Sequence, residues 1–214
     1  MYLLSRGLFA IATLSAISIS LRCQPLFACE GTTTIFEDEF RDDSGGWSFA
    51  PAIRVENSSL VVVAPANNVL KSLNIANTVK KADICVETTF KDAPTSKIPV
   101  SAGLMFWSTD FNNYYSLQIQ VNGAVGIWRY QSGTWLGLRQ NTEDSSVKKG
   151  QGEVNTLRVK ASDKIVSLFV NGVLIREIRA EPPSPNWHFG LYGSGTSDRE
   201  ATTIFKHFKV TTVD

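Results

Sequence analysis

The chain has 214 residues, 43% of them apolar, and a formal net charge of +1. Interspersed charges of both signs leave no basic footprint for nucleic acid and no electrostatic reason to sit on a membrane, so neither is expected as a partner. The length suits one domain with an ample core.

The first residues read as a secretory signal. Arg6 supplies the positive start, Gly7 to Leu21 is an uncharged stretch of apolar and small residues, and Leu26-Phe27-Ala28 suits cleavage before Cys29. The stretch falls short of the roughly 20 apolar residues of a membrane span. The organisation expected is a signal peptide over 1–28 and a single domain over 29–214, secreted or periplasmic. The alternative is a lipoprotein anchored at Cys29, although Phe27 is bulky for a lipobox. Removal of 1–28 takes away Arg6 and Arg22 and no acid, which moves the formal charge from +1 to −1.

Of three cysteines, Cys23 falls in the leader, and Cys29 and Cys85 remain as an even pair. In an oxidising compartment this pair is expected to form a disulfide pinning the N-terminal strand. The competing reading is two separate thiols. A bridge and a lipid would compete for the one sulfur of Cys29.

Strand signals then recur at short intervals: Thr34–Phe40, Arg54–Val55, Ser59–Val63, Asn68–Leu73, Ala82–Phe90, Ala102–Ser108, Tyr114–Val121, Ala124–Tyr130, Thr134–Leu138, Asn155–Ala161, Ile165–Val170, Val173–Arg179, His188–Tyr192 and Thr203–Val210. They are rich in β-branched and aromatic residues and are separated by Gly, Pro and Asn punctuation. Asn74–Lys81 is the one place where a helical turn is expected. Many short antiparallel strands without crossover helices imply an all-β fold, an antiparallel β-sandwich or jelly roll.

Asn122-Gly123 and Asn171-Gly172 each mark a hairpin, because Asn-Gly supplies the positive φ of a two-residue turn. With that turn, Val121 faces Ala124, Ile119 faces Gly126, Leu117 faces Trp128 and Tyr115 faces Tyr130, all on one apolar side of the sheet. Ser116, Gln118 and Gln120 then share the other side with Arg129, Ile127 and Val125.

The succession Ala102-Gly103-Leu104-Met105-Phe106-Trp107, Asn113-Tyr114-Tyr115, Val121-Asn122-Gly123, Leu157-Arg158-Val159, Leu168-Phe169-Val170-Asn171-Gly172 and Gly190-Leu191-Tyr192 resembles the concanavalin A-like lectin/glucanase jelly rolls. The resemblance is strongest to their laminin-G-like and 3-keto-disaccharide-hydrolase-like branch. Asp38-Glu39-Phe40 through Gly46-Trp47 and Phe205 through Val210 extend it over nearly all of Ile35 to Thr211. It implies the fold more than the activity, since this fold hosts lectins, hydrolases and structural domains.

The chemistry-bearing residues are sparse. Glucanases of the resembled fold use a Glu-x-Asp-x-Glu strand, and this chain has none. Glu37-Asp38-Glu39 reads as a solvated strand edge. His188 and His207 lack a nucleophile elbow or a metal-spacing partner and read as structural or surface residues. Asp42 and Asp43 form an acidic turn that offers oxygen ligands to a structural calcium. The remaining candidate is a carbohydrate site: Gln118, Gln120 and Arg129 for the hydroxyls, and Trp107, Tyr114 and Trp135 for ring stacking. The first expectation is therefore an exported module that binds poly- or oligosaccharide without cleaving it. The alternatives are a hydrolase or lyase acting on a glycoside and a structural or adhesion domain.

Overall fold

A computed structural model describes residues 29–92 and 94–213. The expected signal over 1–28 lies outside the described residues. Fourteen strands follow one another among those described: β1 Thr34–Asp38, β2 Ile53–Val55, β3 Leu60–Ala64, β4 Val69–Leu73, β5 Ala82–Phe90, β6 Ser101–Asp110, β7 Asn113–Gln120, β8 Ala124–Gln131, β9 Thr134–Glu143, β10 Val154–Ser162, β11 Ile165–Val170, β12 Val173–Arg179, β13 His188–Ser194 and β14 Ala201–Thr211. Every expected strand is present. Asn74–Lys81 is not a helical turn. It is held extended by isolated bridges from Asn74 to Trp47 and from Val79 to Trp187.

The strands form two antiparallel sheets packed face to face, the jelly-roll sandwich that the alternating pattern implies. One sheet runs β12-β11-β10-β5-β14-β3-β2, with β1 also paired to β14. The other runs β4-β13-β6-β7-β8-β9. A single core joins them. From the second sheet it takes Leu104, Phe106, Leu117, Ile119, Val125 and Ile127, and from the first Ile84, Val86, Val159, Leu168, Phe205 and Phe208, each with no exposed surface. Among the described residues no helix is long and apolar enough to cross a membrane.

The N-terminal segment is locked to the outer face of the first sheet. Cys29 and Cys85 are joined by a disulfide. This takes the sulfur that a lipid on Cys29 would need. Beside it the Arg158 Nε donates to Asp83 Oδ1 at 2.8 Å, and its Nη2 meets Glu30 Oε2 at 2.7 Å. The Glu30 amide donates to Asp83 Oδ2 at 2.8 Å. Asp83 is 1% exposed, so its charge depends on Arg158 for a partner.

Asp38 ties the first strand to Trp47. Its Oδ1 accepts the Phe40 amide at 2.6 Å and its Oδ2 accepts the Trp47 indole N–H at 2.8 Å. Trp47 is thereby fixed edge-on to Phe208, with ring centroids 4.8 Å apart.

The two Asn-Gly hairpins differ. At Asn171-Gly172 the turn has two residues, both with positive φ (50° and 80°), and Val170 faces Val173 as expected. At Asn122-Gly123 the loop has three residues, and only Gly123 has positive φ (93°). Its amide donates to the Gln120 carbonyl at 2.9 Å, so Val121 and Asn122 are the central residues of the turn. Val121 cannot join the ladder because both its backbone groups are engaged elsewhere. Its amide donates to Val100 (3.1 Å), and its carbonyl accepts from Gly150 (2.9 Å).

The register is therefore shifted by one on β8. Tyr114 faces Tyr130, Tyr115 faces Arg129, Ser116 faces Trp128, Leu117 faces Ile127 and Gln118 faces Gly126. A one-residue slip exchanges the two faces of a strand. The faces of β7 stand as expected, but those of β8 are reversed. Val125 and Ile127 enter the core, while Trp128 and Tyr130 join Gln118 on the outer face.

Replacing both Cys29 and Cys85 by Ser is expected to lower the unfolding free energy by about 2–4 kcal/mol in urea melts, because the bridge closes a long loop. Intact-mass labelling of the native protein should find neither thiol. Gly123→Val should cost about 1–3 kcal/mol by forcing a β-branched residue into positive φ. Equal midpoints would show that the turn is not as described.

Candidate carbohydrate site

The outer face of the second sheet carries a hollow of about 500 Å³ that crosses the strands. Alternation places its floor. Ser101 on β6, Gln118 and Gln120 on β7, Trp128 on β8, Asn141 on β9 and Ser194 on β13 all point outward. Asn67, Asn68, Ile98, Pro99, Gly195 and Thr196 come from loops at one end of the strands, and Trp135 closes the hollow at the edge strand β9. Its polar lining groups are amides, hydroxyls and indole N–H groups, and none is charged.

The floor is a connected hydrogen-bond chain. Trp128 Nε1 donates to Asn141 Oδ1 at 3.0 Å, and Gln118 Nε2 donates to the same oxygen at 2.6 Å. Gln118 Oε1 accepts from the Tyr192 hydroxyl. Tyr192 is 1% exposed, and burial pushes its phenol well above the ordinary range, so it stays a donor. Ser101 and Ser194 share a second link, with hydroxyls 2.7 Å apart and the Ser101 amide on Ser194 Oγ at 2.9 Å.

Two glycines make this chain sterically possible. Gly103 lies between Tyr192 and Gln118 in the ladder, and a Cβ there would strike the Tyr192 ring. Gly126 faces Gln118 on the other side, and a Cβ there would strike Asn141 Oδ1 and the Trp128 indole nitrogen. Each glycine opens the lane through which a neighbouring side chain reaches across a strand.

An aromatic wall stands beside the floor. The Trp135 ring centroid lies 4.7 Å from that of Tyr130, 5.9 Å from Tyr114 and 6.2 Å from Trp128. Trp135 is 41% exposed, whereas Tyr114 beneath it is 2% exposed. Burial raises the Tyr114 phenol above its ordinary range. Lys71 Nζ lies over the Tyr114 and Tyr130 rings at 5.2 and 4.9 Å and donates to the Phe111 carbonyl at 2.7 Å. Its desolvation there lowers the ammonium pKa.

Of the residues proposed from sequence, Gln118, Gln120 and Trp135 line the hollow, and Tyr114 supports its wall. Arg129 and Trp107 are placed elsewhere. The register slip turns Arg129 to the inner side, where its guanidinium lies 5.4 Å from the Tyr115 ring centroid. Trp107 is 1% exposed in the core, edge-on to Tyr115, at a bulge where its own φ is 48°. Trp128 and Asn141 were missed. The signal for Trp128 was in the sequence, since the two-residue turn would set Val125 and Ile127 beside Gln118 and Gln120.

The other candidates lie outside the hollow. His188 Nδ1 donates to the Asn74 and Asn77 carbonyls, both at 3.0 Å. His207 Nδ1 lies 2.7 Å from Glu39, and Lys209 lies 3.5 Å from Glu37, across the β1–β14 edge. Asp42 and Asp43 are exposed, and Asp42 Oδ1 accepts the Ser44 amide at 2.9 Å and its hydroxyl. Among the described residues one group has metal-ligand proximity, Cys29 with Asp83 and Cys85, and its two sulfurs are already bonded to each other.

The model of the 3-keto-alpha-glucoside-1,2-lyase-like domain matches residues 31–211. The chain belongs to this family. Among solved structures, the 3-keto-alpha-glucoside-1,2-lyase-like fold seen here is similar to the carbohydrate-binding module CBM66 from Bacillus subtilis. That similarity has a TM-score of 0.62 at 14% identity and covers 78% of this chain and 96% of the other. It is also similar to the catalytic domain of an endo-1,3-beta-glucanase from Thermotoga petrophila, with a TM-score of 0.57 at 11% identity over 83% and 96% of the two chains. A putative glycosyl hydrolase from Parabacteroides distasonis follows at 0.56 and 14%, over 81% and 91%. These identities establish a shared fold. No curated protein sequence matches the chain.

Gly103→Ala and Gly126→Ala should both destabilise, by about 1–3 kcal/mol for an overpacked site. Gly103→Ala should cost more, because the Tyr192 ring it displaces is buried and Asn141 is exposed. Urea melts of the two variants measure the order, and a reversed order would contradict the floor described.

Proposed function

We propose that this chain is an exported carbohydrate-binding module that holds an uncharged glycan across the outer face of the second sheet. One observation carries the reading: a hollow whose polar lining is uncharged, made of amides, hydroxyls and an indole N–H, and walled by an exposed tryptophan. Sugars present an apolar C–H face for an aromatic ring and hydroxyls for amides, and a few convergent polar groups in a cavity are the usual form of a small-ligand site. Trp135 is the stacking platform. Gln118, Gln120, Trp128 and Asn141 form the polar floor.

Two further facts support it. The similar module from Bacillus subtilis is named as carbohydrate-binding, and the similar enzymes are named as acting on glycans. The Cys29–Cys85 bridge suits an oxidising compartment, in agreement with a secretory reading of residues 1–28 and with a secreted or periplasmic location.

A second reading is favoured by the family itself, whose description names a lyase acting on 3-keto-alpha-glucosides. In that case the same hollow would hold the glucoside for cleavage. Incubation with 3-keto-glucosides and mass spectrometry of the products separates the two.

The binding reading is tested on a glycan array, followed by calorimetry. Trp135→Ala should weaken binding at least tenfold, about 1.4 kcal/mol. Arg129→Ala, on the inner side, should leave affinity within about twofold. A silent array, or equal affinity of wild type and Trp135→Ala, would overturn the proposal.

A further inference from the structure

We propose that the hollow selects an N-acetylated sugar, with the acetamido carbonyl oxygen received by the side-chain amides of Asn141 and Gln118. The inference rests on the carbohydrate-binding reading and narrows it to a substrate class.

The argument starts from Trp128. An indole N–H donates and cannot accept. The Asn141 atom 3.0 Å from it is therefore the carbonyl oxygen. Gln118 approaches that same oxygen at 2.6 Å, so it must present its amide nitrogen. The oxygen of Gln118 is then left for the Tyr192 hydroxyl. Every amide in the chain is oriented by one group that can only donate.

The consequence is an imbalance. Both lone pairs of Asn141 Oδ1 are taken by protein donors. The two N–H bonds of Asn141 Nδ2 and the second N–H of Gln118 have no protein partner among the described residues. This part of the floor offers donors, and its complement is a group that accepts without needing to donate. A carbonyl oxygen is that group. A sugar hydroxyl placed there would receive the N–H groups but find no protein acceptor for its own proton.

A second observation is independent of this chain. Gln120 lines the same hollow, and its side-chain amide makes no hydrogen bond among the described residues, so both its oxygen and its nitrogen are open to a ligand. An acetamido N–H would give the oxygen of Gln120 a donor. Its methyl group would meet the apolar part of the lining, Val69, Ile98 and Pro99. A sugar carboxylate or free amine would instead be desolvated in a lining that holds no charged residue to pair with it.

The test uses matched pairs that differ only in the acetamido group. These are N,N′-diacetylchitobiose against cellobiose, and methyl α-N-acetylgalactosaminide against methyl α-galactoside, titrated calorimetrically into the disulfide-bonded protein. In at least one pair the acetylated member should bind tenfold or more tightly. Asn141→Asp is isosteric and keeps an oxygen for Trp128 and Gln118, but replaces the free N–H donors with an acceptor. It should erase the preference while circular dichroism shows the fold retained. Gln120→Ala is the second variant and should reduce the preference severalfold. Equal or tighter binding of the unacetylated partners, array hits confined to unacetylated or acidic glycans, or a preference untouched by both substitutions would each overturn the inference and leave the carbohydrate reading standing. A silent array fails the carbohydrate reading itself.

Discussion

The site depends on where Val121 makes its hydrogen bonds. Its amide is held by Val100 and its carbonyl by Gly150, so it cannot close the hairpin with Ala124. The loop takes a third residue, and β8 slides by one position against β7. That slip puts Val125 and Ile127 into the core and Trp128 beside Gln118. With the other register, the indole that orients the amide chain would point into the sandwich, and a guanidinium would stand in its place. Two backbone bonds at the rim thus decide which face of the sheet carries polar chemistry.

The floor built on that register is linked from one strand to the next. Tyr192 on β13, Gln118 on β7, Asn141 on β9 and Trp128 on β8 each hold the next in one orientation. Gly103 and Gly126 supply the gaps through which they reach. Such an array is preorganised, so little side-chain freedom remains to be lost when a ligand docks. Lys71, Tyr114 and Tyr130 form a packed cluster that props Trp135 at the margin of the hollow.

Most of the fold was legible because it is written in local alternation. Strands such as Ala82–Phe90, Ile165–Val170 and Val173–Arg179 have the boundaries their patterns indicate. The Asn171-Gly172 turn is equally local and forms as its dipeptide implies. Asn74–Lys81 was misread because long-range bridges to Trp47 and Trp187 hold it extended. Asn122-Gly123 was misread for the same reason, since Val100 and Gly150 are distant in sequence. The site inherits that division. Gln118 and Gln120 follow from alternation on one strand, whereas Trp128 requires the register. Asn141 requires in addition that β9 continue past Leu138 to Glu143.

The division of labour between strands and loops has an evolutionary consequence. The amide floor lies on strands that also carry the core, so it is hard to alter without loss of stability. The end wall comes from loops at 67–68, 98–99 and 195–196, and Ser96 binds Ser197 and Asp198 to tie two of these loops together. Loops of this kind accept insertions at small thermodynamic cost. Descendants of this chain can therefore lengthen, shorten or cap the groove by loop changes alone while keeping an inherited recognition floor.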